Sequence, residues 1–171
     1  MSGLVDYFLD IDGVKGESQD KDFKDWIQIN SWQWAQENAG RWGVGSGGGA
    51  GKVKMTDFEF CMVSNKASPK LFQMCATGKP IAKAKLVCRK AGDGQQAFME
   101  IMFKDCTVSS YRTAGNMPLG ETGTAIDTVL PTEMLSLNFS QIEIEYKEQN
   151  ADGTLGAAIK TGYNIKTNTS V

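Results

Sequence analysis

The sequence predicts a mainly β fold: a small antiparallel β-barrel of bulged strands with one flanking α-helix and long loops. Apolar and polar residues alternate with a period of two along most of the chain, as in half-buried strands. Two long apolar patterns change phase midway, as a β-bulge would make them do. Only residues 68–78 carry a clear helix pattern, and this favours a curved antiparallel sheet over a βαβ fold.

The first strand is predicted over residues 5–11, where apolar side chains alternate with acidic ones, and a turn at Gly13 closes it. A polar loop follows over residues 16–25. Residues 26–34 form the second predicted strand. The sequence Asp10-Ile11-Asp12-Gly13 resembles the start of a calcium loop, but Val14 occupies the third ligand position, so a solvated strand end is the better interpretation.

The second predicted strand is rich in tryptophan. If Trp32 and Trp34 point inward, Ser31 and Gln33 must lie on the opposite face, because side chains alternate along a strand. Tryptophans can also form a platform that stacks on sugars. The tryptophans are instead predicted to lie in the core or in a subunit interface, because they are clustered and occupy alternate positions on one face of the predicted strand.

Residues 40–51 form a tract in which seven of twelve residues are glycine. Ordering each residue costs about 1–2 kcal/mol, and glycine makes few contacts in return, so something outside the subunit must order the tract or it stays mobile. The letters fit G-x-G-x-x-G, but a strand rather than a helix follows. The spacing between the glycines and Lys52 also differs from that of a phosphate-binding loop, so we expect no nucleotide site.

The rest of the chain predicts further strands around one helix. The helix begins at Ser68 as N-cap with Pro69 in its first turn, runs for about ten residues, and stops at Gly78. Before the helix, a strand is predicted over 53–62, with a bulge near Thr56 and Asp57. After the helix, a hairpin is predicted over 82–103; its second strand continues to Tyr111 with a bend near Lys104 and Asp105, and an irregular segment follows over 112–132. The last predicted features are a strand over 135–146 with a bulge at Ser140 and Gln141, a turn over 150–153, and a closing strand at Tyr163 and Ile165.

Composition narrows the class of function. The chain has 171 residues, a net charge of −2 and no histidine, so we expect one domain over residues 1–171 without a basic surface for nucleic acid. The lack of histidine removes the usual nucleophile-base pairs. The four cysteines form no CxxC pair and are predicted to be buried thiols. No catalytic, metal or cofactor site is predicted, and Glu143 and Glu145 are expected to face water.

The N-terminus lacks the basic and apolar regions of a secretory signal, and no apolar stretch approaches the roughly 20 residues that span a bilayer. We therefore expect the chain to be made as a cytoplasmic protein that does not insert into a membrane.

Several segments, taken in order and spacing, closely resemble the haemolysin-coregulated protein (Hcp) family, the tube-forming secreted component of type VI secretion systems. They are residues 12–18, 31–34, 48–53, 84–86 with 89–92, 137–141 and 162–165. The resemblance runs essentially end to end. Residues 115–131 depart from the shortest family members and look like an extra loop.

The resemblance implies a structural protein without enzymatic activity. Six copies would form a homohexameric ring with an open lumen, and stacked rings would form the inner tube that a contractile sheath drives into a neighbouring cell. Implied partners are further copies of the chain, the sheath, the spike and small effectors carried in the lumen. The protein would be made in the cytoplasm and secreted by the type VI machine without a signal peptide.

On the same basis, the glycine tract becomes the family's loop for ring contacts, with the predicted assembly residues Gly40, Trp42, Gly43, Gly45, Gly47, Gly48, Gly49, Gly51 and Lys52. Ser31 and Gln33 become candidates for the lumen wall, which rests on strand parity. Two alternatives remain: a phage or prophage tail tube protein, and a monomeric sugar-binding β-module.

Overall fold

The computed structural model describes residues 5–38, 52–90, 95–115 and 130–171. These residues form one helix and twelve strands. The elements are β1 (Val5–Ile11), β2 (Ile27–Ile29), β3 (Ser31–Gln33), β4 (Gln36–Asn38), β5 (Val53–Met55), β6 (Phe58–Val63), α1 (Ser68–Thr77), β7 (Ile81–Lys90), β8 (Ala97–Ala114), β9 (Thr132–Asn138), β10 (Gln141–Gln149), β11 (Leu155–Asn164) and β12 (Thr169–Ser170).

The strands wrap around one core in the order β2-β1-β7-β8-β9-β6-β3, and every pairing in this path is antiparallel. Only Asn30 separates β2 from β3, and its backbone N–H donates to the Cys61 carbonyl over 2.7 Å. The ladder is interrupted at this residue rather than closed. The predicted mainly β, barrel-like architecture with one helix is confirmed.

A second arm continues from β8 through β10 and β11 to β12. Because β9 and β10 both pair with the same side of β8, they follow one another along it, β9 at its C-terminal half and β10 at its N-terminal half. The predicted bulge at Ser140 and Gln141 is therefore the point where the chain passes from one arm to the other.

Two other predicted strands are also divided between sheets. The segment over 26–34 breaks at Asn30, because its first part pairs with β1 and its second part with β6. The predicted bulge near Thr56 and Asp57 separates β6 from β5, which pairs with β4 in a ribbon of its own. A phase shift in the sequence thus marked a change of sheet.

β8 has 18 residues and bends as predicted at Asp105, whose φ of +50° lies in the left-handed region. Beyond the bend, Ser109 is an extra residue in the ladder with β9. The strand continues to Ala114, so the prediction that residues 112–114 are irregular was wrong. Residues 116–129 lie outside the described residues.

The helix has the predicted length of ten residues, and Gly78 ends it in the left-handed conformation with a φ of +64°. Its start differs from the prediction, because Ala67 is the N-cap and Ser68 is the first helical residue. The Ser68 hydroxyl instead accepts from the Asn65 N–H over 3.0 Å, which stabilises the turn before the helix.

The core is continuous and is filled by aromatic and aliphatic side chains. Phe58, Phe60 and Phe103 are at most 1% exposed, and Leu71 and Met74 pack the helix against them. All four cysteines are free thiols; three are buried as predicted, but Cys75 is only half-buried. Burial raises the pKa of Cys88 and Cys106 to about 12. In the described part of the chain, α1 is the only helix, and it is too short to cross a bilayer.

Candidate functional site

Ser31 and Gln33 lie on the surface of β3, and both side chains are exposed. Between them, Trp32 turns to the core, where its ring makes an edge contact with Tyr7 at 6.3 Å and lies 6.2 Å from Phe58. Strand parity therefore separates the two polar side chains from the tryptophan as the sequence predicted. Whether they face a lumen remains a prediction.

The surface around these two residues is formed by cross-strand rows that continue over β6 and β9 to the second half of β8. We call it the polar face, and define it by two rows, Ser31-Cys61-Met134-Arg112 and Gln33-Glu59-Ser136-Ser110. Ser31, Gln33, Ser110 and Arg112 are exposed on it and Glu59 is half-buried, whereas Cys61 and Ser136 are buried beneath them. It offers many hydrogen-bonding groups and little net charge.

Hydrogen bonds connect neighbouring strands of the polar face. The Gln33 amide donates to Glu59, and the hydroxyls of Ser110 and Ser136 share a hydrogen bond. At one edge, Asp57 accepts from the Ser109 hydroxyl over 2.5 Å and from the Asn138 amide over 2.8 Å. These contacts keep the face rigid. A rigid polar surface can bind a partner with a small loss of conformational entropy.

The sequence analysis did not identify Glu59, Ser136 or Ser110 as part of this surface. The alternation along β6 could have predicted that Glu59 points outward, because Phe58 and Phe60 point inward and the residue between them must lie on the opposite face. Ser136 and Ser110 required the register across β8 and β9, which includes the extra residue Ser109. That register is a tertiary property.

The β4-β5 ribbon leads into the predicted assembly loop. It is a separate two-stranded sheet, and β4 is exposed along its length. Lys52 is exposed beside the first residue of β5. The other predicted assembly residues, Gly40, Trp42, Gly43, Gly45, Gly47, Gly48, Gly49 and Gly51, lie outside the described residues.

A groove of about 500 Å³ separates the ribbon from the second arm; apolar side chains form much of its walls, beside polar ones such as Gln36 and Asn168, and we call it the apolar groove. Trp34, Val53 and Met55 line one wall, and the other wall includes Ile144 and Tyr163. Farther along the arm, Ile159 is 71% exposed on β11. β12 pairs with β11 at Tyr163 and Asn164, and the Val171 N–H donates to the Gly162 carbonyl over 3.1 Å. Within the described residues, the edge of β11 over residues 155–161 is open.

The opposite outer surface has a different chemistry. We call it the charged face, defined by Lys85, Glu100, Lys104, Glu143 and Lys160. Lys85 pairs with Glu100 at 2.7 Å, and Glu143 contacts Lys104 at 2.5 Å and Lys160 at 3.1 Å. Hydrogen bonds from these two lysines lower the pKa of Glu143 to about 2, and the bond from Lys104 has the larger effect.

No group of three His, Cys, Asp or Glu side chains in the described ranges is arranged to hold a metal ion. The predicted surface position of Glu143 and Glu145 agrees with their ion pairs. Glu143 pairs with Lys104 and Lys160, and Glu145 contacts Lys147 at 3.1 Å. The exposed surfaces thus present features for association and binding, namely an open strand edge, a ribbon, an apolar groove and a polar face.

Comparisons with known proteins agree with this geometry. The family profile described as "Type VI secretion system effector, Hcp" matches residues 8–146. Protein hcp1 of Pseudomonas aeruginosa is 39% identical over 166 residues, which cover 96% of this chain and 97% of that protein.

Solved structures give the same result. The crystal structure of Hcp1 from Salmonella typhimurium has a TM-score of 0.78 and 33% identity, and the alignment covers 99% of this chain and 100% of the other. A structure described as a type six secretion system protein has a TM-score of 0.85 at 25% identity, with 97% and 99% covered. A type VI effector from Yersinia pestis has a TM-score of 0.69 at 27% identity, with 93% and 99% covered.

Proposed function

The chain belongs to the Hcp family of type VI secretion proteins, and we propose that it is a structural subunit of the secretion tube. Six copies close into a ring, rings stack into the inner tube, and the protein is itself secreted by the machine. The sheath and spike are its partners, and small effectors bind in the lumen. It performs no catalysis in this role.

The observation that carries the proposal is the open edge of β11 beside exposed apolar side chains. The unpaired backbone groups of an edge strand can hydrogen-bond to a strand of another copy. Ile159 and the apolar groove offer surface that association would bury. Soluble monomers usually protect such an edge, so its exposure here supports self-association.

The ribbon, which faces the second arm across the apolar groove, supports the same proposal. An isolated two-stranded ribbon is at best marginally stable in water, so contacts beyond its own hydrogen bonds must stabilise it. We propose that residues 40–52 contact a neighbouring copy. The polar face, with Ser31 and Gln33, then forms the lumen wall, because its hydrogen-bonding groups suit reversible binding of varied polar cargo.

The test is the mass and shape of the purified protein. Light scattering after size exclusion should give six times the mass of the chain, and negative-stain images should show rings with an open centre. A monomer at micromolar concentration would contradict the proposal, and sugar binding by such a monomer would instead support a sugar-binding module.

A pair of variants tests the role of the β11 edge. Ile159→Glu places a charge in the surface that association buries, so we expect the ring to dissociate at concentrations about tenfold higher than the wild type. Ala158→Glu places the same charge on the opposite face of the same strand and should leave the mass unchanged. Equal masses for both variants would contradict an interface at this edge.

A further inference from the structure

The two sides of the β4-β5 ribbon differ in chemistry. Four uncharged side chains, which form two cross-strand pairs, line the apolar groove: Gln36, Asn38, Val53 and Met55. On the other side of the ribbon, Glu37 pairs with Lys54, and both side chains are exposed. The ribbon therefore turns an uncharged side towards the second arm and a charged side towards water.

The second arm presents an uncharged wall on its side of the apolar groove. Ile144 on β10 pairs with Thr161 on β11, Ile142 pairs with Tyr163, and all four line the groove. Glu143, between the two isoleucines, points to the charged face instead. Contact between the two walls would remove apolar surface from water and is therefore favourable. The separation of the ribbon from the arm needs a structural cause.

The base of the ribbon is formed by Ala35 and Thr56. The Ala35 N–H donates to the Thr56 hydroxyl, and the Thr56 N–H donates to the Ala35 carbonyl, both over 2.8 Å. These hydrogen bonds join the two strands of the ribbon to each other. They do not connect the ribbon to β8, β9 or the second arm, so they cannot fix its angle to the rest of the molecule.

Asp57, the residue after Thr56, makes such a connection. Its Oδ2 atom accepts from the Ser109 hydroxyl over 2.5 Å, and its Oδ1 atom accepts from the Asn138 amide over 2.8 Å. Ser109 belongs to β8, whereas Asn138 ends β9, and β10 of the second arm begins shortly afterwards at Gln141. The carboxylate therefore links the base of the ribbon to the start of the second arm.

The bulge in β8 explains how Ser109 reaches Asp57. Ser109 lies between Val108 and Ser110, which pair with consecutive residues of β9, so Ser109 is the extra residue of the ladder. A bulge turns a side chain in a direction that regular alternation would not give it. Hydrogen bonds to a charged acceptor are roughly twice as strong as neutral ones. Two of them give this small junction a defined geometry.

We propose that Asp57 is a positioning residue that holds the ribbon open beside the apolar groove through Ser109 and Asn138. When these hydrogen bonds are lost, the ribbon closes on the second arm of its own chain and covers the groove. The consequence for assembly rests on the proposed function, because closure withdraws a surface that association would bury. Closure itself belongs to the single chain and can be measured without assembly.

A disulfide across the apolar groove measures closure. Gln36→Cys with Thr161→Cys places one thiol on each wall, and Ile159→Glu is added so that copies remain separate. Asp57→Ala should raise the rate at which the internal disulfide forms by about tenfold, because the loss of a hydrogen bond to a charged group shifts an equilibrium by about this factor. Mass spectrometry of the monomer identifies the disulfide between residues 36 and 161.

Two controls test the direction of the movement and the chemistry of the link. Glu37→Cys with Thr161→Cys places the first thiol on the charged side of the ribbon, so Asp57→Ala should not raise its rate. Asp57→Asn should keep the rate within about twofold of the wild type, because its amide can accept from Asn138 and donate to the Ser109 hydroxyl.

A double-variant comparison tests whether Asp57 acts through Asn138. Asn138→Ala should also raise the rate of disulfide formation. Asp57→Ala combined with Asn138→Ala should raise it no further than Asp57→Ala alone, because both changes remove the same hydrogen bond.

A further control separates positioning from general stability. Arg89→Met breaks the contacts of Arg89 with Asp20 and Asp6 and so lowers stability without touching the base of the ribbon. It should leave the rate of the 36–161 disulfide unchanged. A merely structural role of Asp57 would instead predict similar rises for Asp57→Ala and Arg89→Met.

The same pair of thiols tests the effect of closure on assembly. Without Ile159→Glu, the oxidised Gln36→Cys, Thr161→Cys protein should form no rings, and reduction should restore the wild-type mass in light scattering. Asp57→Ala alone should raise the concentration at which rings dissociate by at least about threefold, because only open copies assemble. Asp22→Ala, which removes an exposed carboxylate from the 16–25 loop, should not change it.

The outcomes separate this inference from the proposed function. An unchanged 36–161 rate in Asp57→Ala, or an equal rise in Arg89→Met, would overturn the role of Asp57. Rings of wild-type mass from the oxidised protein would overturn the link between closure and assembly. A wild type that is itself monomeric would contradict the proposed function, and the disulfide rates would still decide whether Asp57 holds the ribbon open.

Discussion

The polar face and the charged face share one strand, β8, and yet differ in chemistry. The N-terminal half of β8 contributes Glu100 and Lys104 to the charged face, and the C-terminal half contributes Ser110 and Arg112 to the polar face. The change occurs across Asp105, where the strand bends. A single long strand can thus supply two surfaces with separate roles.

The two faces differ in the interactions that their own charged and polar side chains form. Lysines and glutamates of the charged face pair with each other across strands, so few charges remain for a partner. The polar face is connected by hydrogen bonds of amides and hydroxyls rather than by ion pairs, and Ser31 is exposed there. We infer that the charged face contributes to stability and the polar face to binding. Substitutions on the two faces should separate these effects.

The largest effect on stability is expected at Arg89, which lies under the 16–25 loop beside the charged face. Arg89 is 3% exposed and donates to Asp20 over 2.7 Å and to Asp6 over 3.4 Å. Arg89→Met keeps much of the side-chain volume but leaves both carboxylates without their cation. We expect the free energy of unfolding to fall by about 2–4 kcal/mol, because removing one partner of a buried pair leaves charge uncompensated. Urea unfolding followed by circular dichroism measures this loss.

The matched control for Arg89 is Lys85→Met on the same strand. Lys85 and Glu100 are 31% and 28% exposed, so their ion pair is solvated and should contribute less than about 1 kcal/mol. A loss at Lys85 as large as that at Arg89 would contradict the view that burial sets the strength of the pair.

The next effect is a pH dependence at Glu143. Its pKa is lowered from 4.5 to about 2 by the lysines, so its contribution is present above pH 4.5 and is lost as the pH falls towards 2. The two lysines are 45% and 58% exposed, and solvent screening should therefore limit the contribution to about 1–2 kcal/mol. Glu143→Gln should lower stability at pH 7 by this amount.

As the pH falls from 4.5 towards 2, the unfolding free energies of Glu143→Gln and the wild type should converge. Glu145→Gln, which removes a carboxylate that contacts only Lys147 among the described lysines, should cost about 0.5 kcal/mol or less at pH 7. A difference between Glu143→Gln and the wild type that stays constant from pH 7 to pH 2.5 would show that packing, rather than charge, explains the effect.

The same two faces show what the sequence could predict. Strand parity alone placed Ser31 and Gln33 on the surface opposite Trp32, because alternation is a local property. The bend at Asp105 and the stop at Gly78 also followed from local patterns. The sequence analysis recognised the phase shifts in the apolar patterns over 53–62 and 135–146, but interpreted each as a bulge within one strand. A change of sheet and a bulge within one strand produce the same shift in sequence.

The groove between the 16–25 loop and the C-terminal end of β6 shows why other features could not be predicted. Glu17, Ser64 and Glu133 are far apart in sequence and meet only because the 16–25 loop folds over the end of β6. The buried position of Arg89 likewise depends on Asp20 and Phe23, which lie in a polar loop without a strand pattern. Such contacts between distant segments leave no periodic signal.

The smallest effect on stability is expected on the polar face, where Ser31→Glu adds one carboxylate to an exposed position. We expect a change of about 0.5 kcal/mol or less, as for most surface substitutions, and an unchanged ring mass. Cargo binding should change much more. A carboxylate beside Glu59 would repel acidic groups of a bound effector, so the amount of effector that copurifies should fall by at least about threefold.

Glu148→Gln, an exposed charge change at the end of β10, serves as the control for net charge and should retain effector at the wild-type level. Gln33→Glu should act in the same direction as Ser31→Glu, because it also adds a negative charge next to Glu59 and removes the amide that donates to it. If Ser31→Glu and Gln33→Glu both retain effector as the wild type does while the rings stay intact, cargo does not contact the polar face. In that case the lumen wall must be formed by another surface of the ring, and the division of roles between the two faces would be wrong.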